Sequence, residues 1–409
     1  MATKLSRTCL SLALMSAASQ TIAGGFALSE QSVSSMGTSF AGRSSSAEDA
    51  TTVASNPAGM ARLKREQISA GAVLIDAKTD ISHANGVLNG SNDGDMVPLV
   101  AVPLGFYVKP IDDNWSFGLG VYVPFGLTTD YESNFQGRLE GKKSHVQVIT
   151  VQPTVSYRFN DHLSVGFGPT INRIDGELTS AVPSPLGEAK VKVKGDDTAV
   201  GYNVGVLYEF TPQTRAGLTY HSKVKYRLKG DTKMDLSNFI NVKYNGSLRL
   251  TTPESVDFSV THELNDRWTI YAGSTWTRWS RLKDITVQNE GVAQPLSGVL
   301  STITEPQNWH DTWGHAIGAS YKLNQQWTLR AGLAVDQSPT NNTDRSPRIP
   351  TGDRRALSLG AGWSPNDDVT IDVAYSYLRE EKVSVRSEEY NADYKNSAHG
   401  LGAQITYRF

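Results

Sequence analysis

The chain has 409 residues, and its 39 basic and 41 acidic side chains leave a formal charge of −2. A balance so close to neutral favours neither nucleic acid nor an anionic surface as partner. The single cysteine, Cys9, rules out a disulfide framework or a thiolate metal centre, and no His, Asp or Glu spacing suggests a metal or another cofactor.

The first residues read as an export signal. Lys4 and Arg7 give a positive start, residues 10–18 form a short apolar core, and Thr21-Ile22-Ala23 puts small residues at the −3 and −1 positions of a cleavage site. Residues 1–23 are therefore expected to be removed. The apolar run is too short to cross a bilayer, which takes about 20 residues. Further along, the longest apolar stretch, 97–108, is broken by Pro98 and Pro103, which excludes a helical membrane protein.

Residues 24–63 are rich in Gly, Ser and Ala, with isolated apolar anchors at Phe26, Leu28, Met36, Phe40 and Met60. The segment is too long for a connector, too polar to fold alone, and lacks the charge or repetition of a disordered tail. It reads as a plug. Glu48-Asp49-Ala50 suits the first turn of a short helix, and Pro57 requires an extended step at Asn56.

Residues 64–409 alternate. In 369–377, Val369, Ile371, Val373, Tyr375 and Tyr377 share one face, and Thr370, Asp372, Ala374 and Ser376 the other. Period 2 predicts strands, near 66–80, 97–109, 114–127, 144–159, 162–177, 198–211, 214–229, 245–262, 267–283, 309–322, 326–338, 353–364, 368–379 and 397–409. Their connections alternate between short turns (110–113, Asn160-Asp161, Pro212-Gln213, Asn265-Asp266, Asn324-Gln325 and 365–367) and long polar loops (81–96, 128–143, 178–197, 230–244, 284–308, 339–352 and 380–396). Short turns on one rim and long loops on the other are the layout of an outer-membrane barrel.

The expected fold is thus all-β, a 14-stranded antiparallel transmembrane barrel with an N-terminal hatch in its lumen. An even count suits closure, since a sheet in lipid can leave no unpaired edge. Trp115, Tyr157, Phe159, Phe210, Trp268, Tyr321, Trp327 and Trp363 flank the short turns as an interfacial girdle. The chain ends on Phe409, the expected signal to the machinery that assembles such barrels. Gly followed three residues later by an aromatic recurs at Gly205, Gly217, Gly273, Gly318 and Gly360, marking lumen-side positions where another backbone comes close.

Several motifs are similar to one known family. Gly25-Phe26-Ala27-Leu28-Ser29-Glu30, Ser34-Ser35-Met36-Gly37, Phe40-Ala41-Gly42, Ala47-Glu48-Asp49-Ala50 and Asn56-Pro57-Ala58 resemble the hatch of the FadL family of outer-membrane transporters of long-chain fatty acids and other hydrophobic compounds. The resemblance continues through Leu218-Thr219-Tyr220-His221-Ser222, Pro253-Glu254, Trp276 with Trp279-Ser280, Trp309-His310-Asp311-Thr312-Trp313, Asp336-Gln337-Ser338-Pro339 and Asp353-Arg354.

The resemblance implies a kink in the third strand that opens the wall sideways. Pro124-Phe125-Gly126 are the candidates, because a mid-strand proline beside a glycine predicts a bulge. It implies gating by the hatch, with Phe26, Asn56, Pro57 and Ala58 as its candidates. It also implies capture between the loops 178–197 and 230–244, where Val182, Leu186, Met234, Leu236, Phe239 and Ile240 are the apolar candidates. Fatty-acid carriers of the family hold the carboxylate with an Arg and a Lys. Arg173 is the candidate for the first, and the lysine position falls on His310, a departure that leaves an aromatic hydrocarbon open as cargo.

Outer-membrane lipid and lipopolysaccharide are the expected surroundings, and the protein is expected to act as a monomer. A general diffusion porin is the alternative function. An enzyme is disfavoured, because no Ser/His or Asp/His pair converges in the sequence.

Overall fold

The computed structural model describes residues 25–184, 187–236 and 240–409; the expected export signal lies outside them. Strands β1 (Gln67–Gly86), β2 (Val100–Pro110), β3 (Trp115–Asp130), β4 (Lys143–Arg158), β5 (Leu163–Ser184) and β6 (Gly187–Thr211) are continuous. β7 runs Thr214–His221 and resumes as Val224–Leu236; β8 runs Ile240–Thr252 and then Ser255–Glu263. β9 (Trp268–Thr277, then Asp284–Asn289) and β10 (Thr302–Pro306, then Thr312–Lys322) are also divided. β11 (Trp327–Asp336), β12 (Arg354–Trp363), β13 (Val369–Glu380, then Val383–Arg386) and β14 (Tyr390–Arg408) complete the wall. Fourteen antiparallel strands close on themselves where β14 pairs with β1, from Gln67 opposite Arg408 to Gly86 opposite Tyr390.

The wall is inside-out relative to a soluble sheet. On β12, Leu357 and Leu359 are exposed while Ser358 between them is fully buried. On β14, Leu401, Ile405 and Tyr407 are exposed, and Gln404 and Thr406 face inward. Exposed aliphatic side chains of this density are tolerable only against hydrocarbon, where each gains what water would deny it. Trp115, Phe159, Phe210, Trp268, Trp327 and Trp363 are exposed beside the short turns, as an interfacial girdle requires.

The short turns share one device. The side-chain oxygen of Asp112, Asn160, Asn265, Asn324 or Asn366 accepts from the backbone N–H groups two and three residues on. Thr211 does the same with its hydroxyl. The local bond favours each reversal from within the turn itself.

At the opposite rim the strands run longer than alternation suggested. The stretches 178–197 and 230–244, expected as loops, are mostly hairpin: β5 pairs with β6 as far as Ser184 opposite Gly187, and β7 with β8 as far as Leu236 opposite Ile240. Lys190-Val191-Lys192-Val193-Lys194 keeps the period of 2, but its charged face hides the pattern. Phe239 and Leu186 lie outside the described residues.

Residues 25–63 occupy the lumen. Two single-turn helices, α1 (Val33–Met36) and α2 (Thr52–Ser55), and a 3-10 turn over Pro57–Arg62 are its only regular structure. Asn56 is extended (φ −157°), as the following proline demands, and its side chain caps the turn by accepting from Ala58 N–H. Ser34, Thr51 and Gln404 all donate to Asp49, which holds the turn before α2 against the wall.

The recurrent glycines are where this segment touches the barrel. A Cβ on Gly217 would lie 1.8 Å from the Ser44 carbonyl oxygen, and one on Gly205 1.9 Å from Asn56 Oδ1. Gly273, Gly318 and Gly360 face Ala41, Thr38 and Gly37 in the same way.

Candidate functional site

The wall is incomplete between β2 and β3. Their pairing ends at Gly105 opposite Val121, while β2 goes on pairing with β1 as far as Val100. On its other side β3 stays on β4 but bulges: Tyr122 opposes Thr150 and Phe125 opposes Val148, so Val123 and Pro124 share the place of Ile149. Proline cannot donate to a ladder, and the bulge turns the strand away from its neighbour.

Groups left unpaired by β2 must bond elsewhere, and the lumenal segment supplies the partners. Leu28 N–H donates to the Pro124 carbonyl at 2.8 Å, and Gly126 N–H donates to the Phe26 carbonyl at 2.9 Å. The Gln31 side-chain amide donates to the Val123 carbonyl at 3.1 Å. Ala27 bridges Phe125 as an antiparallel pair. Residues 26–31 therefore pair with β3 along the edge that β2 leaves open.

Phe26 anchors this patch. Its ring centroid lies 4.9 Å from Trp279, 5.7 Å from Phe125 and 6.0 Å from Trp309. Gly25 is left-handed (φ +68°), and a Cβ there would come within 2.8 Å of both indoles, so the approach to this cluster needs glycine.

Two cavities meet at the patch. The outer one, lined by Phe26, Ile174, Leu228, Leu248, Leu250, Leu282 and Ile349 among others, has an empty volume of about 820 Å³ out to its mouth. Nearly all of its surface is apolar. Its few charges are mutually satisfied: Lys194 and Lys192 pair with Glu177 at 2.8 and 2.9 Å, and Arg348 pairs with Glu305 at 2.8 Å. The inner one, about 1050 Å³, lies on the other side of residues 27–28, between the lumenal segment and the wall. It mixes Leu28, Phe40, Tyr122 and Phe125 with Asn172, Asn203, His221 and Arg43.

The expected site residues separate into two groups. Phe26, Pro124, Phe125 and Gly126 come together at the break. Asn56, Pro57 and Ala58 lie deeper, where the Asn56 amide donates to the carbonyls of Ser44 and Val206 and fixes the segment to β6. Leu236 is buried near the outer end of the hairpins with Met234, Val191 and Leu300, apart from the outer cavity; Ile240 opens β8 at that end.

Arg173 and His310 do not reach either cavity. Arg173 is on the outer face, paired with Asp196 at 3.1 Å and Asp175 at 3.7 Å, because strand parity turns its neighbour Ile174 inward instead. His310 precedes its strand and is exposed, with Nδ1 3.0 Å from the Asp311 carbonyl; Trp309 beside it is the residue that turns in. Trp279 and Trp309, quoted above only within motifs, and Arg348 were not among the expected site residues. The signal available for the tryptophans was their place in those motifs.

On the periplasmic side the segment is held by charge. Arg330 donates to Glu48 at 3.0 Å and to Asp372 at 2.7 Å, and Tyr271 donates to Glu48 at 2.8 Å. Enclosure by the wall acts to raise the Glu48 pKa, but Arg330 and the Tyr271 hydroxyl outweigh it and hold the carboxyl below its ordinary value.

A closed barrel with an aliphatic outer face, aromatic girdle and self-filled lumen defines an outer-membrane barrel. The chain belongs to the outer membrane protein transport protein family (OMPP1/FadL/TodX), whose profile matches residues 14–409. It is 29% identical to the long-chain fatty acid transport protein of Escherichia coli O6:H1, over 100% of this chain and 99% of that one. It is 30% identical to outer membrane protein P1 of Haemophilus influenzae strain Rd, over 99% and 100%. Among solved structures, a FadL homologue of Pseudomonas aeruginosa superposes with a TM-score of 0.84 at 27% identity, covering 94% of this chain and all of that one. The toluene transporter TbuX of Ralstonia pickettii shares the fold, with a TM-score of 0.69 at 20% identity over 92% and 97% of the two chains.

Proposed function

We propose that this protein takes up long-chain fatty acids or other hydrophobic compounds, such as aromatic hydrocarbons, and releases them sideways through the break at Pro124. In this reading residues 1–23 are the removed export signal, 24–63 a hatch and 64–409 the barrel. Cargo enters the outer cavity from the long-hairpin rim, passes Phe26 into the inner cavity, and leaves between β2 and β3. The reading rests above all on one observation: at the wall break, unpaired groups of β3 are bonded by residues 26–31, a segment that can withdraw without unzipping the barrel.

Solvent physics supports the route. An apolar chain gains about 0.8 kcal/mol for each CH₂ it buries in a dry cavity, so a long acyl chain supplies most of its own affinity in the outer cavity. A water-filled pore offers it nothing comparable, and the filled lumen argues against a general diffusion porin. Asn56, Pro57 and Ala58 would be the fixed end of the hatch, and Phe26, Ala27 and Leu28 the moving end. The protein would work as a monomer amid outer-membrane lipid and lipopolysaccharide, delivered there by the assembly machinery that reads Phe409.

Uptake of a labelled long-chain fatty acid beside a labelled monoaromatic hydrocarbon, in outer-membrane vesicles with and without the protein, tests the reading. Stimulated uptake of either compound is the expected result. Stimulation of neither would overturn it.

A further inference from the structure

The cations lining the two cavities differ in one respect. In the outer cavity Lys194 and Arg348 each hold a carboxylate within 2.8 Å, so an incoming anion would have to displace Glu177 or Glu305. In the inner cavity Arg43 is the one lysine or arginine among the lining residues. Among the described residues it has no carboxylate within ion-pair distance. Its guanidinium carbon instead sits 5.0 Å from the centre of the Phe40 ring, a contact that fixes the side chain by cation–π attraction and leaves its N–H donors free.

The surroundings suit an anionic head. Arg43 also lines the adjoining cavity of about 560 Å³ beside β8, β9 and β10, so it stands where two spaces join. Asp257 shares both spaces, but its two oxygens accept from Ser44 and Thr275 hydroxyls, which keeps them turned to those donors. His221, Asn172 and Asn203 add polar edges on the opposite wall. The backbone leading to Arg43 is not relaxed: Ser39 and Phe40 are consecutive left-handed residues (φ +52° and +62°). Such strain in residues other than glycine persists only where the surroundings enforce it, here through Ser39 donating to Ser358 and Phe40 N–H donating to the Ser35 carbonyl.

We propose that Arg43 is the residue that recognises the carboxylate of an amphipathic cargo, in the inner cavity and on the lumenal segment itself. The cargo class is then a long-chain monocarboxylate, with its chain in contact with Leu28, Phe40 and Phe125. This inference rests on the transport reading above, since it names the cargo of that route. It transfers the charged contact from the wall, where Arg173 and His310 face outward, to the segment that bonds β3 at the break.

The test is equilibrium binding to the purified full-length barrel in detergent, with a fluorescent conjugated-polyene fatty acid and the fatty alcohol of the same chain as probes. Arg43→Met keeps the stem over Phe40 and removes the charge. It should weaken acid binding by about tenfold or more, the worth of a charge-assisted hydrogen bond, and change alcohol binding little. Arg43→Lys should retain part of the preference for the acid. An unchanged melting temperature establishes that each variant is folded. Equal loss for acid and alcohol, or no loss for the acid, overturns this inference alone. A wild-type protein that binds neither probe also overturns this inference, and the transport reading falls with it only if the monoaromatic hydrocarbon is not taken up either.

Discussion

Leu28 donates its backbone N–H to the carbonyl of Pro124, a bond of 2.8 Å between the lumenal segment and the bulged strand. Together with the Gly126 to Phe26 bond, it makes the leading segment a structural part of the wall. Breaking these contacts leaves polar backbone of β3 facing the gap, at a cost of about 1–3 kcal/mol for each buried group left unmet. A ligand that compensates this cost can therefore shift the segment, and one that does not will leave it closed.

Restoring a strand former at the bulge should hinder release. Pro124→Val regains a backbone N–H and favours straight pairing with β2. Uptake of labelled fatty acid should fall severalfold, because the bulge is what turns β3 away from β2, while binding in detergent is unchanged. Unaltered uptake would sink the sideways exit.

The steric seat of the segment can be tested from the wall. Gly217→Val would thrust a side chain into the Ser44 carbonyl, at a cost of about 1–3 kcal/mol of overpacking. Displacement of the segment should raise single-channel conductance to small ions while the barrel keeps its strand content by circular dichroism. A silent channel at wild-type level would mean that the segment tolerates the intrusion and is not seated there.

Acid should loosen the periplasmic anchor. The Glu48 pKa is held below its ordinary value by Arg330 and Tyr271 acting against the enclosure of the carboxyl inside the barrel. A lowered carboxylate contributes stability that is present above the unfolded value of 4.5 and is lost as pH falls through the folded one. Channel leak should therefore rise on acidification below about pH 4.5, and Glu48→Gln should leak already at neutral pH. A Glu48→Gln barrel as tight as wild type at pH 7 would contradict this.

The outer rim should respond with the opposite sign. Glu140, in the connection between β3 and β4, is raised to about 7 by burial and by Glu389 and Glu305. Its carboxyl accepts from the Ser387 hydroxyl, tying this connection to the turn between β13 and β14. A carboxyl raised in the folded state binds its proton more tightly there than when unfolded, so stability is greatest at low pH and declines as pH rises from 4.5 to about 7. Limited proteolysis of residues 131–142 should thus speed up over that interval, and Glu140→Gln should abolish the change. Cleavage independent of pH in the wild type would refute it.

Much of this architecture was legible because lipid imposes simple rules. Leu357 and Leu359 must face out and Ser358 in, so period 2 is visible without any structure. Asn160, Asn265, Asn324 and Asn366 mark turns because the side chain that bonds the reversal is in the sequence. The spaced glycines foretold a close backbone, and Pro124 a bulge.

What escaped reading had equally physical causes. A one-residue difference of parity decides whether a side chain on β5 points in or out, and it turned Ile174 inward and Arg173 away. Outside a strand parity gives no guidance, so His310 and Trp309 could not be told apart. In Lys190-Val191-Lys192-Val193-Lys194 the charged face masked a continuing strand.

The length of β5 and β6 gives the proposed route a difference in elevation. A strand needs about 9–11 residues to cross the hydrocarbon, whereas β5 has 22 and β6 has 25. Exposed aliphatics on this pair give way at Ile171 and Val200 to Arg173, Asp175 and Asp196. Glu177 and Lys194, at the outer cavity, stand roughly 20 Å further along the strand, while Pro124 sits near the boundary itself. Cargo gathered at that height would descend inside protein past the sugar and headgroup zone, meeting lipid again only where the acyl chains begin.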